Sequence, residues 1–352
     1  MDFSKYGNVD FRRIQKAPDA ALVFNDLAPI TYVADADAYY VTDPKTICDL
    51  LRRPEIDLFD SQNGYKKLTE ALDLDFDATV TYLNSVPLGL RGGPHQETKR
   101  SAIQKVSHNF DEAVKTFETH FRNLAETLLT SPGRTDIFNE IYIPALRAAL
   151  SQVTGADREL VDHAPEVVLA FDPYVSLKRR LKSNELIKRL FQIPELDQSA
   201  RDQNRARGLS TLGSDASRGG IGYAVAEVFT NNVGARLSAM PWDDLRVYPA
   251  IAFVDRVCVQ SFQYGEFAFR EGDRIRLWLS ASRDDPEYQE ILAFGFGKHS
   301  CPGRKLALRW LECIKETFRS IDMVAANVEL VEKQNSYITV SPKQLWVEVK
   351  NG

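Results

Sequence analysis

The sequence contains little cysteine, no long apolar run and no excess of positive charge. Its 352 residues include four cysteines, at positions 48, 258, 301 and 313, which are too few and too scattered for a disulfide framework. No apolar stretch approaches the ~20 residues of a membrane-spanning helix. The formal net charge of -5 and the lack of a basic stripe argue against nucleic-acid binding. The N-terminus has no signal-peptide pattern, so we expect a cytoplasmic protein that is not inserted in a membrane.

The composition that remains is that of an ordinary globular protein. Hydrophobic residues make up 44% of the chain and charged residues 26%. Length alone would favour ~2 domains, but no internal repeat and no clean linker divides the sequence. We therefore predict a single domain over residues 1–352, mainly α-helical with small antiparallel β-sheets.

Local patterns in the first half of the chain predict the order of its elements. Two β-like runs around an Asp/Ala turn predict a hairpin over residues 30–41, and Pro44 opens a helix that ends before Pro54. Residues 111–190 are mostly amphipathic helix, with the basic run at 178–182 as a solvated helix face.

The second half begins with a polar stretch. Residues 198–220 contain several glycines and predict a flexible connection that could act as a lid. A buried helix over 221–240 and a helix from Pro241 to near Pro249 follow. Alternating apolar residues then predict a small antiparallel sheet over 253–280, and the runs 336–340 and 345–349 predict a C-terminal hairpin.

The stretch from Phe294 to Gly303 carries the strongest chemical signal. Cys301 lies in a glycine-rich loop, directly before residues that repeat with helical spacing up to Phe318. A thiol at the start of a helix faces unpaired backbone N–H groups and the positive end of the helix dipole, which favour the metal-binding thiolate. Gly297 and Gly303 let a bulky group approach the backbone. This pattern predicts a cysteine-ligated cofactor packed against the loop.

Other interpretations of this loop differ in strength. Zinc would require more Cys or His ligands than His299 and Cys301 supply. A dinucleotide loop would require a third glycine and a preceding strand. A catalytic nucleophile and an inert buried cysteine both remain open from the residues alone.

The same loop resembles the haem-binding loop of the cytochrome P450 family. The resemblance rests on Phe294, Gly297, Cys301 and Gly303, with His299 two residues before the cysteine. It implies the cytochrome P450 fold and a haem b cofactor whose iron takes the Cys301 thiolate as its axial ligand. From about residue 32 to the end, other segments resemble the family in order and spacing.

The resemblance also implies which side chains hold the haem propionates. His95 and Lys99 match the family's helix that binds one propionate, and Arg256 and His299 match its other partners. Two carboxylates beside a buried ring need cationic donors, so these residue types suit the task. Asp243, Arg246 and Pro249 occupy the place of the family's Glu-x-x-Arg-x-x-Pro. The acid and the arginine would pair on one helix face, but Asp is one methylene shorter than Glu.

Several departures mark this chain as a shortened relative. The family's distal helix carries an acid followed by Thr, whereas we expect Asn231 and Asn232 to occupy those catalytic positions here. Asn can hydrogen-bond a water but cannot act as a general acid. A helical pair before Asp243 and a segment before Phe294 are also missing.

The resemblance implies a monooxygenase that acts on a small hydrophobic or aromatic metabolite, by family habit in secondary metabolism. Lys298, Arg304, Lys305 and Arg309 could then receive an acidic ferredoxin or flavodoxin as electron donor. The departures leave two alternatives open. One is a haem-thiolate enzyme that uses no dioxygen (a peroxygenase, isomerase or dehydratase), and the other is a non-catalytic haem-binding auxiliary protein.

Overall fold

Helices form most of the structure, a computed structural model that describes residues 28–172, 175–191, 198–282, 285–333 and 341–351. Within these residues the α-helices are α1 (Pro44–Arg52), α2 (Ser61–Leu72), α3 (Asp77–Ser85), α4 (Gly92–His108), α5 (Phe110–Leu129), α6 (Ile143–Thr154), α7 (Glu159–Val167), α8 (Leu177–Leu190), α9 (Gln198–Asn231), α10 (Gln289–Ala293) and α11 (Arg304–Arg319). The strands are β1 (Ile30–Val33), β2 (Ala38–Val41), β3 (Ile56–Leu58), β4 (Gly133–Asp136), β5 (Val254–Cys258), β6 (Phe262–Tyr264), β7 (Phe267–Phe269), β8 (Arg274–Leu277), β9 (Met323–Lys333) and β10 (Ser341–Asn351).

The strands form small sheets at the edges of the helical body. One sheet has the order β1-β2-β8-β5-β3, a second has the order β4-β10-β9, and β6 pairs with β7 as a hairpin. The pairings are antiparallel, except that β2 and β8 run parallel. The predicted class, mainly α with small antiparallel sheets, is therefore confirmed, and the parallel pair is the one deviation among the described strands.

Several predicted elements are confirmed together with the local chemistry that forms them. The N–H of Thr46 donates to the Asp43 carboxylate at 2.8 Å, and Pro44 occupies the first turn of α1. The hairpin over residues 30–41 is present, with Ile30 opposite Val41. Strand β10 covers the predicted run 345–349 and pairs with β9. The other run predicted for this hairpin, 336–340, lies outside the described residues.

Two predictions in the middle of the chain are wrong. Residues 198–220 are the first two-thirds of the 34-residue helix α9, and that helix ends at Asn231 instead of continuing to 240. Its glycines allow close packing: a Cβ at Gly208 would lie 2.3 Å from Val86 Cγ1, and one at Gly220 would lie 2.9 Å from the Tyr248 carbonyl oxygen.

The helix predicted from Pro241 is also wrong. Only the 3-10 turn Trp242–Asp244 forms there.

The largest hydrophobic core lies between α5, α6, α9 and α11. The ring of Trp310 stacks on Phe117 at a centroid distance of 5.1 Å, and Phe318 meets Phe229 of α9 at 5.3 Å. Trp310 and Phe318 therefore fix α11 along its length, on the apolar face that the sequence spacing predicted. This packing holds the start of α11, where Cys301 lies, at a defined place in the fold.

Candidate functional site

The cysteine loop is folded back on itself and against the end of α1. The N–H of Cys301 donates to the Phe294 carbonyl oxygen at 2.7 Å, which closes the loop. Gly297 has φ +63°, a left-handed conformation that favours glycine, and a Cβ there would lie 3.0 Å from the Leu51 carbonyl oxygen. Phe294 is buried in the main core and anchors the near end of the loop.

The sulfur of Cys301 lies at the entrance to α11. The N–H of Gly303 points to Cys301 Sγ at 3.3 Å, as expected for a sulfur at a helix start. Burial nevertheless raises the pKa of the thiol, and the Gly303 amide, the Lys99 ammonium and the Arg304 amide oppose that shift without cancelling it. The neighbouring amides and Lys99 favour the thiolate and the crowded surroundings of the sulfur oppose it, and because Cys301 is itself an exposed residue, the thiolate stays a prediction. A bound cation would reverse that balance.

The predicted propionate partners do come together next to the loop. Lys99 Nζ donates to the Lys298 carbonyl oxygen at 2.7 Å and to Ser300 Oγ at 3.0 Å, so α4 is tied directly to the cysteine loop. His95 Nδ1 is 2.8 Å from the Pro87 carbonyl oxygen, and the His95 and His299 rings lie 4.8 Å apart.

The resulting cluster carries more positive than negative charge. Burial lowers the pKa of His299 to about 2, with help from the charges of Arg256, His95, Lys298 and Lys99. Burial lowers the pKa of Arg256 to about 10, although Asp255 and Asp57 oppose the shift.

Asp57 is a carboxylate that lies beside this cluster. Its Oδ1 lies 3.9 Å from His299 Nε2, which is beyond hydrogen-bond distance.

Some donor atoms of this cluster have no hydrogen-bond partner. Within the described part of the chain, both ring nitrogens of His299 and Nε of Arg256 are buried without one. The side chain of His299 is 3% exposed, so water cannot readily serve it. With its lowered pKa the His299 ring is neutral and has one N–H donor. That donor and Arg256 Nε cost about 1–3 kcal/mol each while unpaired, and they indicate a site for an acceptor group.

A cavity of ≈ 430 Å³ extends from Arg256 toward the surface between α2 and β5. Its mouth carries three exposed apolar side chains, Phe59, Leu72 and Leu177. The walls are mostly apolar, and their polar side chains are Ser61, Tyr65, Asp172, Arg180, Asp255 and Arg256. Such a lining suits a hydrophobic ligand with a few polar contacts.

The two predicted distal residues lie far from this site. Asn231 is the last residue of α9, and Asn231 and Asn232 lie two and three residues after Phe229, which packs against Phe318. Phe318 lies 14 residues into α11, or about 21 Å along the helix from the turn that holds Cys301. The assignment of Asn231 and Asn232 to the distal face is therefore wrong, because it assumed that the helix begins after residue 220.

The middle of α9 lies closer to the cluster. Gly208 packs on Val86, which precedes Pro87, the partner of His95. Ser210 and Thr211 follow and are fully buried. Thr211 Oγ1 donates to the Gly208 carbonyl oxygen at 2.9 Å, whereas Ser210 Oγ has no hydrogen-bond partner among the described residues. In the sequence, the sign of these two buried residues was a serine followed by a threonine, in a stretch that was predicted to be a flexible connection.

The surface cations around the loop are mostly paired or turned inward. Arg304 bonds Glu290 at 2.7 Å, and Lys298 Nζ donates inward to the Ile56 carbonyl oxygen. Arg309 lies 3.8 Å from Glu316, and Lys305 is exposed. The charge that this surface presents to a partner is therefore smaller than the sequence suggested.

The expected side-chain pair of Asp243 and Arg246 does not form. The Asp243 carboxylate is largely exposed and pairs with Arg319 at the end of α11. Arg246 Nη1 donates to the backbone oxygen of Asp243 instead. The reason is that the two residues lie on a short turn and not on one helix face.

Comparison with known proteins establishes the fold. No family model matches the sequence, and no curated protein matches it. P450BioI, solved in complex with an acyl carrier protein ligated to hexadec-9Z-enoic acid, superposes with a TM-score of 0.71 at 14% identity, over 96% of this chain and 100% of that chain. CalO2 superposes with a TM-score of 0.71 at 14% sequence identity, over 98% of each chain. RauA, solved with a biosynthetic intermediate of aurachin RE, superposes with a TM-score of 0.66 at 16% sequence identity, over 96% of this chain and 97% of that chain. The chain therefore has the cytochrome P450 fold.

Two further findings concern metals and membranes. Within the described residues, no three His, Cys, Asp or Glu side chains come close enough together to form a metal cage. Among the same residues, no helix combines the length and the apolar character needed to cross a membrane.

Proposed function

We propose that this protein binds haem b through Cys301 and acts as a haem-thiolate oxidoreductase of the cytochrome P450 type. Its reaction would be monooxygenation of a small hydrophobic or aromatic metabolite. One observation carries the proposal: beside a cysteine at a helix start lies a buried cationic cluster whose His299 and Arg256 donors have no partner. The cytochrome P450 fold makes haem the group that suits both features.

The residues present fit this cofactor. Cys301 offers one sulfur ligand at the start of α11, and Gly303 keeps the approach to that sulfur open because its own Cβ position lies 3.8 Å from Sγ. Two carboxylates would satisfy the donors of His299 and Arg256 and balance the charge of Lys99. His95 would complete the set from α4.

The chain's own groups would then have separate roles. Lys99 and the Gly303 amide stabilise negative charge on Cys301, and the closed loop from Phe294 keeps that sulfur in place. When bound, haem supplies the oxidising chemistry, with electrons from a reductant such as a ferredoxin or flavodoxin. The apolar cavity beyond Arg256 would bind the substrate and exclude water.

The ligands of two relatives support a hydrophobic substrate. P450BioI was solved with a fatty-acyl carrier protein and RauA with a biosynthetic intermediate. An apolar cavity suits molecules of either kind. We therefore propose that this protein also acts in the biosynthesis of a secondary metabolite. The four cysteines are all free, in accord with the proposed cytoplasmic location.

The middle of α9 favours a second candidate function. Ser210 and Thr211 can pass a proton but cannot supply one as a carboxylic acid would. A haem-thiolate enzyme that uses peroxide, or that rearranges or dehydrates its substrate, would not require that acid. Turnover with substrate alone would favour this candidate, and strict dependence on an electron donor would favour the monooxygenase.

The test is the spectrum of the reduced, carbon-monoxide-bound protein. We expect a red-shifted, thiolate-type Soret band in the wild type and its loss in Cys301→Ala. Cys258→Ala is the control for loss of a thiol, because Cys258 is also a free cysteine but is buried in β5. An imidazole-type band in the wild type, or an unchanged band in Cys301→Ala, would contradict the ligand assignment.

A further inference from the structure

One wall of the apolar cavity contains a built polar contact. Arg180 belongs to the basic run 178–182, which the sequence predicted to be a solvated helix face, but its guanidinium turns into the cavity wall. There it lies over the ring of Tyr65, with Cζ 5.2 Å from the ring centroid. The side chain of Lys178, two residues earlier, is exposed in accord with the prediction.

The guanidinium and the phenol are held rigidly together. Arg180 Nη1 donates to the Tyr65 hydroxyl at 2.9 Å, Nε donates to the Val175 carbonyl oxygen at 3.0 Å, and Nη2 donates to the Asp172 carbonyl oxygen at 3.0 Å. The ring of Tyr65 also packs on Phe76, with centroids 5.2 Å apart. A side chain fixed at both its ring and its oxygen presents that oxygen at a defined point of the wall.

The Tyr65 hydroxyl has a proton left to donate. Its oxygen accepts the bond from Arg180, and in the described residues no acceptor takes its own O–H. Burial raises the pKa of Tyr65 although the Arg180 charge opposes this, so the hydroxyl stays protonated at neutral pH. The side chain is 3% exposed and lines the cavity.

We propose that the Tyr65 hydroxyl, held by Arg180, orients the substrate by donating a hydrogen bond to an oxygen acceptor on it. The substrate class is then a mostly apolar molecule that carries a carbonyl or carboxylate oxygen. Its apolar body would pack among Leu68, Phe171 and Phe253 of the same cavity. This deepens the proposed function, because the cavity reaches Arg256 at the edge of the proposed cofactor site.

The arrangement favours an acceptor over a purely apolar ligand. An apolar ligand would leave the buried O–H without a partner, which costs free energy, whereas a carbonyl oxygen would satisfy it. The guanidinium increases this difference because it withdraws electron density from the phenol oxygen and strengthens the O–H as a donor.

The experiment compares three probes of similar shape: 2-acetylnaphthalene, 2-naphthoate and 2-ethylnaphthalene. Calorimetric titration measures their binding to the purified full-length protein, and the haem content of each preparation is measured separately. We expect the wild type to bind the ketone about five- to tenfold more tightly than the alkyl probe. In Tyr65→Phe, which keeps the ring on Phe76, that ratio should fall to about one.

Two matched controls isolate the contact. Tyr142 is also 3% exposed, and its hydroxyl donates to the Ser217 carbonyl oxygen outside the cavity, so Tyr142→Phe should keep the wild-type ratio. Arg180→Gln should reduce the ratio, because the hydroxyl loses its fixed position, whereas Lys178→Gln should not.

The outcomes separate this inference from the haem proposal. A ratio near one in the wild type, or a ratio unchanged in Tyr65→Phe, would overturn it, as would a failure of all three probes to bind. A preference confined to naphthoate that is lost in Arg180→Gln but kept in Tyr65→Phe would assign the contact to the guanidinium and overturn the role of Tyr65. Because calorimetry does not depend on the cofactor's spectrum, a preparation without haem would contradict the proposed function alone.

Discussion

Removal of the charge of Arg256 should have opposite effects on the cofactor-free protein and on cofactor binding. The side chain is 4% exposed, its Nε has no hydrogen-bond partner within the described residues, and the nearby carboxylates of Asp255 and Asp57 do not offset its burial. In Arg256→Met the apolar stem is largely kept, while the unsatisfied donor, which costs about 1–3 kcal/mol, is removed. The bond from Nη1 to the Asp255 carbonyl oxygen, 2.9 Å long, is lost as well and offsets about 1 kcal/mol of that gain.

We therefore expect the free energy of unfolding of the cofactor-free variant to rise by about 1 kcal/mol. Haem affinity should fall, because a charge-assisted hydrogen bond to a carboxylate contributes about 1.5–3 kcal/mol. Its loss corresponds to a roughly 10- to 150-fold larger dissociation constant for haem. Urea unfolding followed by circular dichroism measures the first quantity. Haem transfer to apomyoglobin measures the second.

Arg134→Met provides the control for loss of an arginine. Arg134 is an exposed residue paired with Glu329, so its removal should change stability by less than about 1 kcal/mol and leave haem transfer unchanged. The reasoning would be refuted if Arg256→Met destabilised the cofactor-free protein by several kcal/mol, or if its haem transfer matched that of the wild type.

Three further outcomes follow from the structure. Burial raises the pKa of Asp255, but Arg276 and Arg274 lower it more, so the net shift is downward. The ion pairs of Asp255 therefore stabilise the fold above pH ~4, and this stability is lost as the pH falls below that value. Asp255→Asn should lower the free energy of unfolding by about 3–5 kcal/mol at pH 7 and by less in acid, as measured by denaturant unfolding at both pH values. Gly208→Leu should destabilise by about 1–3 kcal/mol or more in thermal melts, because even its Cβ would overlap Val86. Asn232→Thr should change neither haem content nor product yield per electron consumed, and a changed yield would contradict the placement of Asn232.

The proximal side of the site could be predicted from the sequence because its chemistry is local. Cys301, His299 and Gly297 lie in one short loop, and the resemblance to the cytochrome P450 family added His95 and Lys99, one helical turn apart, from a distant segment. The glycine requirement is equally local, since Gly297 needs its left-handed backbone whatever surrounds it. The charge balance of the assembled cluster is not local, because Lys99, Arg256 and His299 come from three separate segments.

The distal side could not be predicted, because a glycine in a polar stretch can belong either to a loop or to a closely packed helix. Gly208 and Gly220 carry no local sign that Val86 and Tyr248 lie against them, and without those neighbours a glycine-rich run is more often a loop than a helix. Because the predicted helix began after residue 220, the predicted distal position fell about twenty residues further along the chain, at Asn231.

The error in α9 also changes the chemistry that the site can support. With Asn231 in the distal position, no hydroxyl would stand near the substrate, and a proton relay would have to depend on water alone. With the buried middle of α9 in that place, Thr211 lies one turn from Gly208, which packs on Val86 next to the His95 partner Pro87. Hydroxyls carry protons onward but do not originate them, so a relay through Thr211 would need a separate proton source.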